Sequence, residues 1–449
     1  MALIVPFRGL LFDPEKVSDL SKVVSPPYDV ISPKAKNSLL KRHPLNVVRI
    51  ILPPEEEGEK RYDLSASLLK KWEKDGILKI DKEPAFYYYR QIFSIDSKGP
   101  ITRDGFIALV RIESLDSGII FPHEKTTSKP VEDRLNLLRA CKTNLSQIFT
   151  LYSDPENFVD ETFSPYLGFP FFNIVDDLGD QHIFWRVTNK KVISTISKWM
   201  IDKPIFIADG HHRYTTAMAY REEMKAKDPN FTGKEPYNFV MTYFTNMDNP
   251  GLTILPTHRL LLNLGEINQS ELMEKFERYF NVTLFPFNNK NREDIKRKFL
   301  LALKERGRIS KSFGLFIHGM KSFVILSLKN ETDLEDIIGD VSEVIRNLDV
   351  TILNHIVLEK IFNISKEERE RGIKLNLIKN SEKALDIVYE GRCQVALLLN
   401  PTRIDEVRKV ASIGEVMPAK STFFYPKLLT GLVFYKMVPG EVFNYEPTP

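Results

Sequence analysis

The chain has 449 residues, of which 43% are hydrophobic and 27% are charged, and it contains two cysteines. This composition excludes an intrinsically disordered chain, a collagen-like repeat and a disulfide-stapled scaffold. The 63 Lys and Arg residues nearly balance the 60 Asp and Glu residues, and a net charge of +3 is too small to predict a nucleic-acid or anionic-membrane partner.

The compartment expected from the sequence is the cytoplasm. Cys141 and Cys393 lie far apart and lack the CxxC spacing of a structural zinc site or a thiol redox pair, which is typical of a reduced protein. No stretch reaches the roughly 18 apolar residues that a membrane-spanning helix needs. The apolar start, residues 1–9, is interrupted by Pro6 and Arg8, so we interpret it as a first strand and not as a signal peptide.

Strand-like and helix-like periods alternate along the chain, which predicts a mixed α and β fold. In the first half, the predicted helices are 59–75, with Leu64, Leu68 and Trp72 on one face, and 132–144; the predicted strands are 86–93, 105–112, 182–187 and 204–208. In the second half, the predicted helices are 268–280, 351–362 and 403–411; the predicted strands are 238–244 and 394–399, with a hairpin over 313–328. The polar stretch 225–236 is the best boundary, although a surface loop of one larger domain would look the same. It predicts domains at 1–231 and 232–449, with segment 417–427 of the second returning to the site of the first.

The most informative segment is 207–213 (IADGHHR), which follows an apolar strand and precedes a helical pattern. A strand, a tight turn and a helix start would present unpaired backbone N–H groups and the positive end of the helix dipole, which together bind anions. Gly210 lets a phosphate approach the backbone, and Arg213 adds a forked donor. His211 and His212 can donate hydrogen bonds or carry a proton. The alternative interpretation is that Asp209 only caps the helix.

Three further segments carry polar groups that suit chemistry. In 121–127 (FPHEKTT) a proton carrier, a carboxylate, a cation and a hydroxyl follow one another in a loop bounded by prolines, although a solvated polar loop would look the same. Segment 417–427 (MPAKSTFFYPK) contains an anion-friendly turn, and segment 26–30 (PPYDV) is a turn whose acid could simply stabilise it. The residues concerned are His123, Glu124, Lys125, Thr126, Lys420, Ser421, Lys427, Tyr28 and Asp29.

The signatures of several nucleotide and hydrolase folds are absent from the sequence, including the P-loop, GxGxxG, HExxH and GxSxG. In their place, an ordered set of motifs from about residue 3 to residue 437 resembles the family called domain of unknown function 1015. The set comprises PPYDVIS, HPLNVVRIILP, FPHEKT, EDRLNLLRACKTNLSQIF, IADGHHRYTTA, GLTILPTHRLL and MPAKSTFFYPKLLTGLV. The DGHHR element is also similar to that of the free L-serine kinases in the ParB/sulfiredoxin-like superfamily.

The second resemblance implies a ParB/sulfiredoxin-like core elaborated by further α/β segments, and a kinase that moves phosphate from ATP or ADP, with Mg²⁺, to a small hydroxyl compound such as free L-serine. Phosphoryl transfer needs positioned phosphates, neutralised charge and a proton acceptor. Glu124 is the expected base, because Asp209 should stay ionised at a helix start, and His212 is the fallback. Phosphate binding is expected from Gly210, His211, Arg213, Lys125, Thr126, Lys420 and Ser421, and substrate binding from Tyr28, Asp29 and His123.

Two other functions remain open from the sequence. A metal-dependent phosphoesterase or nucleotidase would use the His, Asp and Glu side chains as ligands for Mn²⁺ or Zn²⁺. Against it, His211 and His212 diverge by about 100° on a helix, so both are poorly placed for one ion. A nucleotide-binding or DNA-associated, ParB-like regulator would need a basic stripe to bind DNA, and neither such a stripe nor a helix-turn-helix is evident in the sequence. The sequence does not identify metal ligands, and it leaves the oligomeric state unknown.

Overall fold

A computed structural model describes residues 1–95, 99–124 and 126–443 of the chain. The strands, in chain order, are β1 (Ile4–Val5), β2 (Leu10–Phe12), β3 (Leu78–Ile80), β4 (Phe86–Phe93), β5 (Ile101–Arg103), β6 (Phe106–Arg111), β7 (Ile120–Phe121), β8 (Thr143–Asn144), β9 (Ile148–Tyr152), β10 (Phe172–Val175), β11 (Gln181–Val187), β12 (Ile205–Asp209), β13 (Phe239–Asn246), β14 (Thr253–Ile254), β15 (His258–Leu261), β16 (Phe280–Pro286), β17 (Ser312–Ile317), β18 (Ser322–Leu328), β19 (Leu375–Ile378), β20 (Val395–Leu398), β21 (Phe424–Tyr425) and β22 (Tyr435–Lys436).

The α-helices are α1 (Pro33–Arg42), α2 (Val48–Ile51), α3 (Lys60–Lys74), α4 (Ser128–Cys141), α5 (Phe158–Phe163), α6 (Lys190–Met200), α7 (His211–Lys227), α8 (Gln269–Glu277), α9 (Arg292–Arg306), α10 (Leu334–Ile338), α11 (Glu343–Arg346), α12 (Asp349–Ile352), α13 (Lys366–Arg371), α14 (Ser381–Tyr389) and α15 (Ile404–Ser412). A π-helix, Leu353–Ile361, continues α12. Short 3₁₀ helices occur at Leu20–Lys22, Tyr28–Val30, Glu55–Glu57, Leu115–Ser117, Ser164–Tyr166 and Pro236–Asn238. Among the described residues, no helix is both long enough and apolar enough to cross a membrane.

The fold divides into two compact units that differ from the predicted domains. The first unit contains residues 1–253 and the chain from Phe424 onward, and the second contains Ile254–Phe423. The predicted boundary after residue 231 therefore falls inside the first unit. The reason is that the polar stretch 225–236 only connects α7 to β13, and β13 lies within the sheet of the first unit, antiparallel to β6 and parallel to β9.

A mixed sheet forms the centre of the first unit, as the mixed α and β prediction requires. Its main path runs β10-β11-β4-β6-β13-β9-β12-β7, with β1 paired to β6 and β5 paired to β4. Residues of α5, α6 and α7 pack into one apolar cluster with the inward-facing residues of these strands. A second cluster joins β2, α2 and α3.

The pairing of β7 with β12 positions the polar segments. These two strands are parallel, with Ile120 opposite Ile205 and Phe121 opposite Phe206. Because parallel neighbours run in the same direction, the residues that follow each strand emerge at the same edge of the sheet. Segment 122–127 follows β7 and segment 210–213 follows β12, so the sheet brings two motifs together that are more than 80 positions apart in the sequence.

The second unit is built on an antiparallel sheet in the order β16-β18-β17-β20-β15-β19. Alternate residues of its strands belong to two different apolar clusters: Leu315 packs with α8 and the π-helix, while the next residue, Phe316, packs with α9 and α14. Both faces of the sheet are therefore covered by helices, which follows from the two-residue period of a strand. The hairpin predicted over 313–328 is confirmed by the pairing of β17 with β18.

Two details differ from the sequence predictions. In α3, the buried stripe runs through Tyr62, Leu69 and Trp72, whereas Leu64 is 48% exposed. The buried residues follow the 3.6-residue period of a helix. Leu64 is two positions after Tyr62, about 200° around the helix, so its side chain points away from the core. In addition, β4 and β6 pair antiparallel, but the segment between them contains a short strand that the sequence did not predict, β5, which pairs with the end of β4.

Candidate functional site

The predicted strand, turn and helix at DGHHR are confirmed: Asp209 ends β12, Gly210 makes the turn and His211 begins α7. Gly210 has a φ of 94° and is the cap residue of the helix, with no side chain to accept the first backbone N–H groups. A Cβ atom at this position would lie 2.9 Å from the guanidinium of Arg213, so glycine suits both the turn and the neighbouring side chain. The interpretation of Asp209 as a mere helix cap is therefore wrong.

The carboxylate of Asp209 binds two cations. Its Oδ1 accepts a hydrogen bond from Nζ of Lys427 at 2.5 Å, and its Oδ2 accepts one from Nη2 of Arg213 at 2.9 Å. Burial raises the pKa of Asp209, but Lys427 and Arg213 outweigh burial and hold the pKa at about 2. Asp209 is therefore an anion at neutral pH and a weak proton acceptor.

Arg213 is fixed in place by protein oxygens. Besides Asp209, its Nη1 donates to Oγ of Ser146 at 3.3 Å and to the carbonyl oxygen of Gln147. Its Nε is buried and has no hydrogen-bond partner among the described residues. The guanidinium lies beside Gly210 at the start of α7. Ser146 and Gln147 were not predicted, because only the contact itself distinguishes them from their polar neighbours in the motif KTNLSQIF.

Segment 26–30 adds a second carboxylate to this cluster. Asp29 is exposed to solvent, yet loss of hydration and the negative charge of Asp209 raise its pKa, against the opposing effect of Arg213 and Lys427. Tyr28, beside it, lines a cavity of about 60 Å³ together with Arg213. Its ring stacks under the guanidinium of Arg134 at 4.3 Å.

Segment 122–127 is joined to the same helix start through histidines. His123 is 1% exposed, its Nδ1–H donates to the carbonyl of Ile207 at 2.5 Å, and its backbone N–H donates to Nε2 of His211 at 3.2 Å. Burial lowers the pKa of both rings, and His123, His212 and Lys427 lower the pKa of His211 further, against the opposing effect of Asp209. The two rings are therefore neutral and connect the two motifs. Roles for His123 in substrate binding and for His211 in phosphate binding stay predictions.

The outer part of the same segment contacts His212. The backbone N–H of Thr127 donates to Nε2 of His212 at 3.2 Å. Glu124 and Thr126 are half-buried, and the charge of Glu124 reaches the ring of His123. Lys125, predicted to bind phosphate, lies outside the described residues.

The predicted segment 418–427 is divided between the two units. Lys427 lies in the first unit and binds Asp209. The sequence placed it at the end of MPAKSTFFYPK but assigned it no role in phosphate or substrate binding. Lys420 and Ser421 belong to the second unit, where Oγ of Ser421 donates to the carbonyl of Pro418 at 2.5 Å. Phosphate binding by Lys420 and Ser421 stays a prediction.

The described residues contain no group of three or more His, Cys, Asp or Glu side chains that could hold a metal ion. The comparison with curated proteins found no match. Among solved structures, the chain is similar to a free serine kinase in complex with AMP, at 15% identity and a TM-score of 0.33 over 71% of this chain and 86% of that one. It is also similar to a conserved hypothetical protein from Pyrococcus furiosus, at 14% identity and a TM-score of 0.32 over 72% and 92% of the two chains.

A third structure to which the chain is similar is SbnI with a C-terminal truncation from Staphylococcus aureus, at 11% identity and a TM-score of 0.32 over 73% of this chain and 86% of that one. The family model described as protein of unknown function, DUF1015, matches residues 4–351, which is more than half of the chain. The match contains the segments that meet around Asp209, apart from the one that carries Lys427. The chain belongs to the DUF1015 family.

Proposed function

We propose that this protein is a small-molecule kinase that transfers a phosphoryl group from ATP or ADP to the hydroxyl of a small metabolite, free L-serine being the expected acceptor. The observation that carries the proposal is the meeting of Asp209, Arg213 and Lys427 at the start of α7, with Asp29 within electrostatic reach of all three. We further propose that the β12–Gly210–α7 element belongs to a ParB/sulfiredoxin-like core.

The phosphates of the nucleotide bind at the start of α7. Gly210 leaves room for the guanidinium of Arg213 beside the helix start, the helix dipole favours negative charge there, and the cap residue provides no side chain that would compete. Arg213 and Lys427 supply two cations that now share the carboxylate of Asp209. A guanidinium carries five N–H donors and an ammonium three, and Asp209 takes one from each, so donors remain on the two side chains for phosphate oxygens.

The carboxylates of the cluster differ in what they can do. Asp209, with its pKa held at about 2, stays ionised and suits electrostatic work, including the orientation of Mg²⁺ that arrives with the nucleotide. When bound, Mg²⁺ neutralises charge on the phosphate oxygens. Asp29 has a raised pKa and is open to solvent, so it competes with Glu124 for the role of proton acceptor. Environments that push the pKa values of two carboxylates apart are typical of an acid–base site.

The reaction forms a bond between the acceptor hydroxyl oxygen and the terminal phosphorus of the nucleotide. The bond from that phosphorus to the bridging oxygen breaks, and the bridging oxygen keeps the electron pair as ADP or AMP leaves. The hydroxyl proton passes to the carboxylate of Glu124 or Asp29. Arg213, Lys427 and the helix start hold the negative charge in place throughout.

The test is to incubate the protein with Mg²⁺, ATP or ADP, and a panel of hydroxyl compounds that includes L-serine, and to follow products by phosphorus NMR and mass spectrometry. We expect a phosphorylated acceptor together with equimolar ADP from ATP, or AMP from ADP. Release of inorganic phosphate without a phosphorylated acceptor would favour the phosphoesterase instead. Glu124→Gln and Asp29→Asn, compared in the same assay, identify the base, because the variant that lacks it loses turnover while it still binds nucleotide.

A further inference from the structure

We propose that Arg103 and Gln91 are positioning residues that hold Lys427 against Asp209. Both side chains are fully buried, at 0% exposure, and they stand directly opposite each other on the paired strands β5 and β4. Neither lies in any motif that the sequence analysis connected with chemistry. The role of Lys427 in the reaction rests on the proposed function, but its placement does not.

The two side chains bind three successive backbone carbonyls that end at Lys427. Nη1 of Arg103 donates to the carbonyl of Tyr425 at 3.0 Å, and its Nη2 donates to the carbonyl of Pro426 at 2.6 Å. The side-chain amide of Gln91 donates to the carbonyl of Lys427 at 3.2 Å. The Oε1 atom of Gln91 in turn accepts a hydrogen bond from Nη2 of Arg103, so the two side chains support each other.

The surroundings of Arg103 indicate that its function is to bind these backbone carbonyls. Its hydrogen-bond acceptors among the described residues are neutral oxygens, and its guanidinium lies over the ring of Phe149 at 4.7 Å. A buried cation without a carboxylate partner costs free energy, and an apolar residue would fill the same space at lower cost. Only a planar fork of donors, however, can hold two neighbouring carbonyls in one geometry.

The consequence for the site is mechanical. Lys427 Nζ reaches Asp209 from a chain segment whose backbone is fixed at the residue itself and at the two residues before it. Fewer backbone conformations then compete with the one in which the ammonium meets the carboxylate, and preorganisation of this kind is what electrostatic catalysis requires. A plain structural anchor would hold the whole C-terminal segment equally, and this difference can be measured.

The experiment measures the rate at which an amine-acylating reagent at low concentration modifies Nζ of Lys427. The protein is the folded full-length chain without nucleotide, and the modified peptides are quantified by mass spectrometry. Lys436 is the internal control. It lies in the same C-terminal segment and is ion-paired with Glu73, but the described hydrogen bonds of Arg103 and Gln91 do not include it. In Arg103→Lys, which keeps the charge and loses the fork, we expect Lys427 to react about tenfold faster because its protected state opens more often. The rate at Lys436 should stay within about twofold of wild type, as for any group outside the opening segment.

A second variant and a matched control complete the test. Gln91→Met removes the contact with the carbonyl of Lys427 and should raise the rate in the same direction. Arg259→Lys changes another buried arginine, in the second unit, and should alter neither lysine. Should Arg103→Lys fail to fold, Gln91→Met decides the matter. An unchanged rate at Lys427, an equal rise at Lys427 and Lys436, or failure of both variants to fold would overturn the proposal. Because no substrate is present, a negative kinase assay leaves this result standing.

Discussion

Two clusters in this molecule each centre on one Asp that is ion-paired with one Arg and one Lys, and they differ in their surroundings. The Asp209 cluster contains Arg213 and Lys427. The Asp386 cluster, in the second unit, contains Arg292 and Lys296, both of which also pair with Glu293. In each cluster, burial raises the pKa of the Asp carboxyl, but the two cations lower it by more than burial raises it. The net shift is therefore downward in both.

The surroundings separate the two. Asp386 lies in the middle of α14 and joins it to α9, while Arg292 also covers the ring of Tyr389 at 3.9 Å, as expected of a contact that ties two helices together. Asp209 lies where β12 meets the start of α7. The negative charge of Asp209 also contributes to the raised pKa of a second carboxyl group, Asp29. What distinguishes the Asp209 cluster is therefore its place at a helix start, where the helix dipole favours anions, and not its ion pairs, which the Asp386 cluster also has.

The largest expected effect comes from removing the two acids in turn. Asp209→Asn should lower the rate of product formation about 100-fold or more, because the fixed charge at the transferring phosphate is lost. Asp386→Asn should leave the rate within about twofold and lower the free energy of unfolding by about 1 kcal/mol or less, since its carboxylate is 36% exposed. Steady-state assays and urea denaturation of both variants provide the measurement. Equal activity in the two would remove the distinction between the clusters.

An intermediate effect is expected from exchanging the two arginines. Arg213→Lys should raise the Kd for ADP with Mg²⁺ about tenfold, because lysine cannot supply a fork of donors to a phosphate. Arg292→Lys is the matched change in the second unit and should leave that Kd unchanged. Isothermal titration calorimetry on the purified chains measures both. A Kd for Arg213→Lys that equals the wild-type value would contradict direct phosphate recognition.

The smallest effect concerns stability and distinguishes the clusters by sign. The pKa of Asp29 is raised in the folded protein, so ionisation of Asp29 lowers the free energy of unfolding at pH 7. This loss of stability disappears as the pH falls towards the pKa that Asp has in the unfolded chain. Asp29→Asn should therefore raise Tm at pH 7 by roughly 2 °C, and the gain should vanish near pH 4. Asp386→Asn should lower Tm at pH 7. The pKa of Asp386 is lowered in the folded protein, so its ionised carboxylate stabilises the fold at any pH above the pKa that Asp has in the unfolded chain. Thermal melts across this pH range give both signs.

The sequence predicted the local structure of the site well, because the signals are local. The strand, the glycine turn and the helix start at 205–227 follow from an apolar run, an Asp-Gly pair and a helical pattern. The boundary of the first unit was missed, because the chain leaves it at residue 253 and returns at 424, and no composition shift marks either point. Partners such as Lys427 and Arg103 depend on pairing between strands and segments up to hundreds of positions apart, which a single sequence does not encode in any nearby pattern.

The return of the chain at residue 424 has a consequence for how the protein is made. Synthesis proceeds from the N-terminus, and domains generally fold as units while the rest of the chain is still being added. The helix start at Gly210 and the carboxylate of Asp209 therefore leave the ribosome long before their partner at residue 427, with the whole second unit translated in between. Until then Asp209 lacks one of its two cations, so the nascent chain carries the acid and the arginine of the cluster without the lysine that completes it.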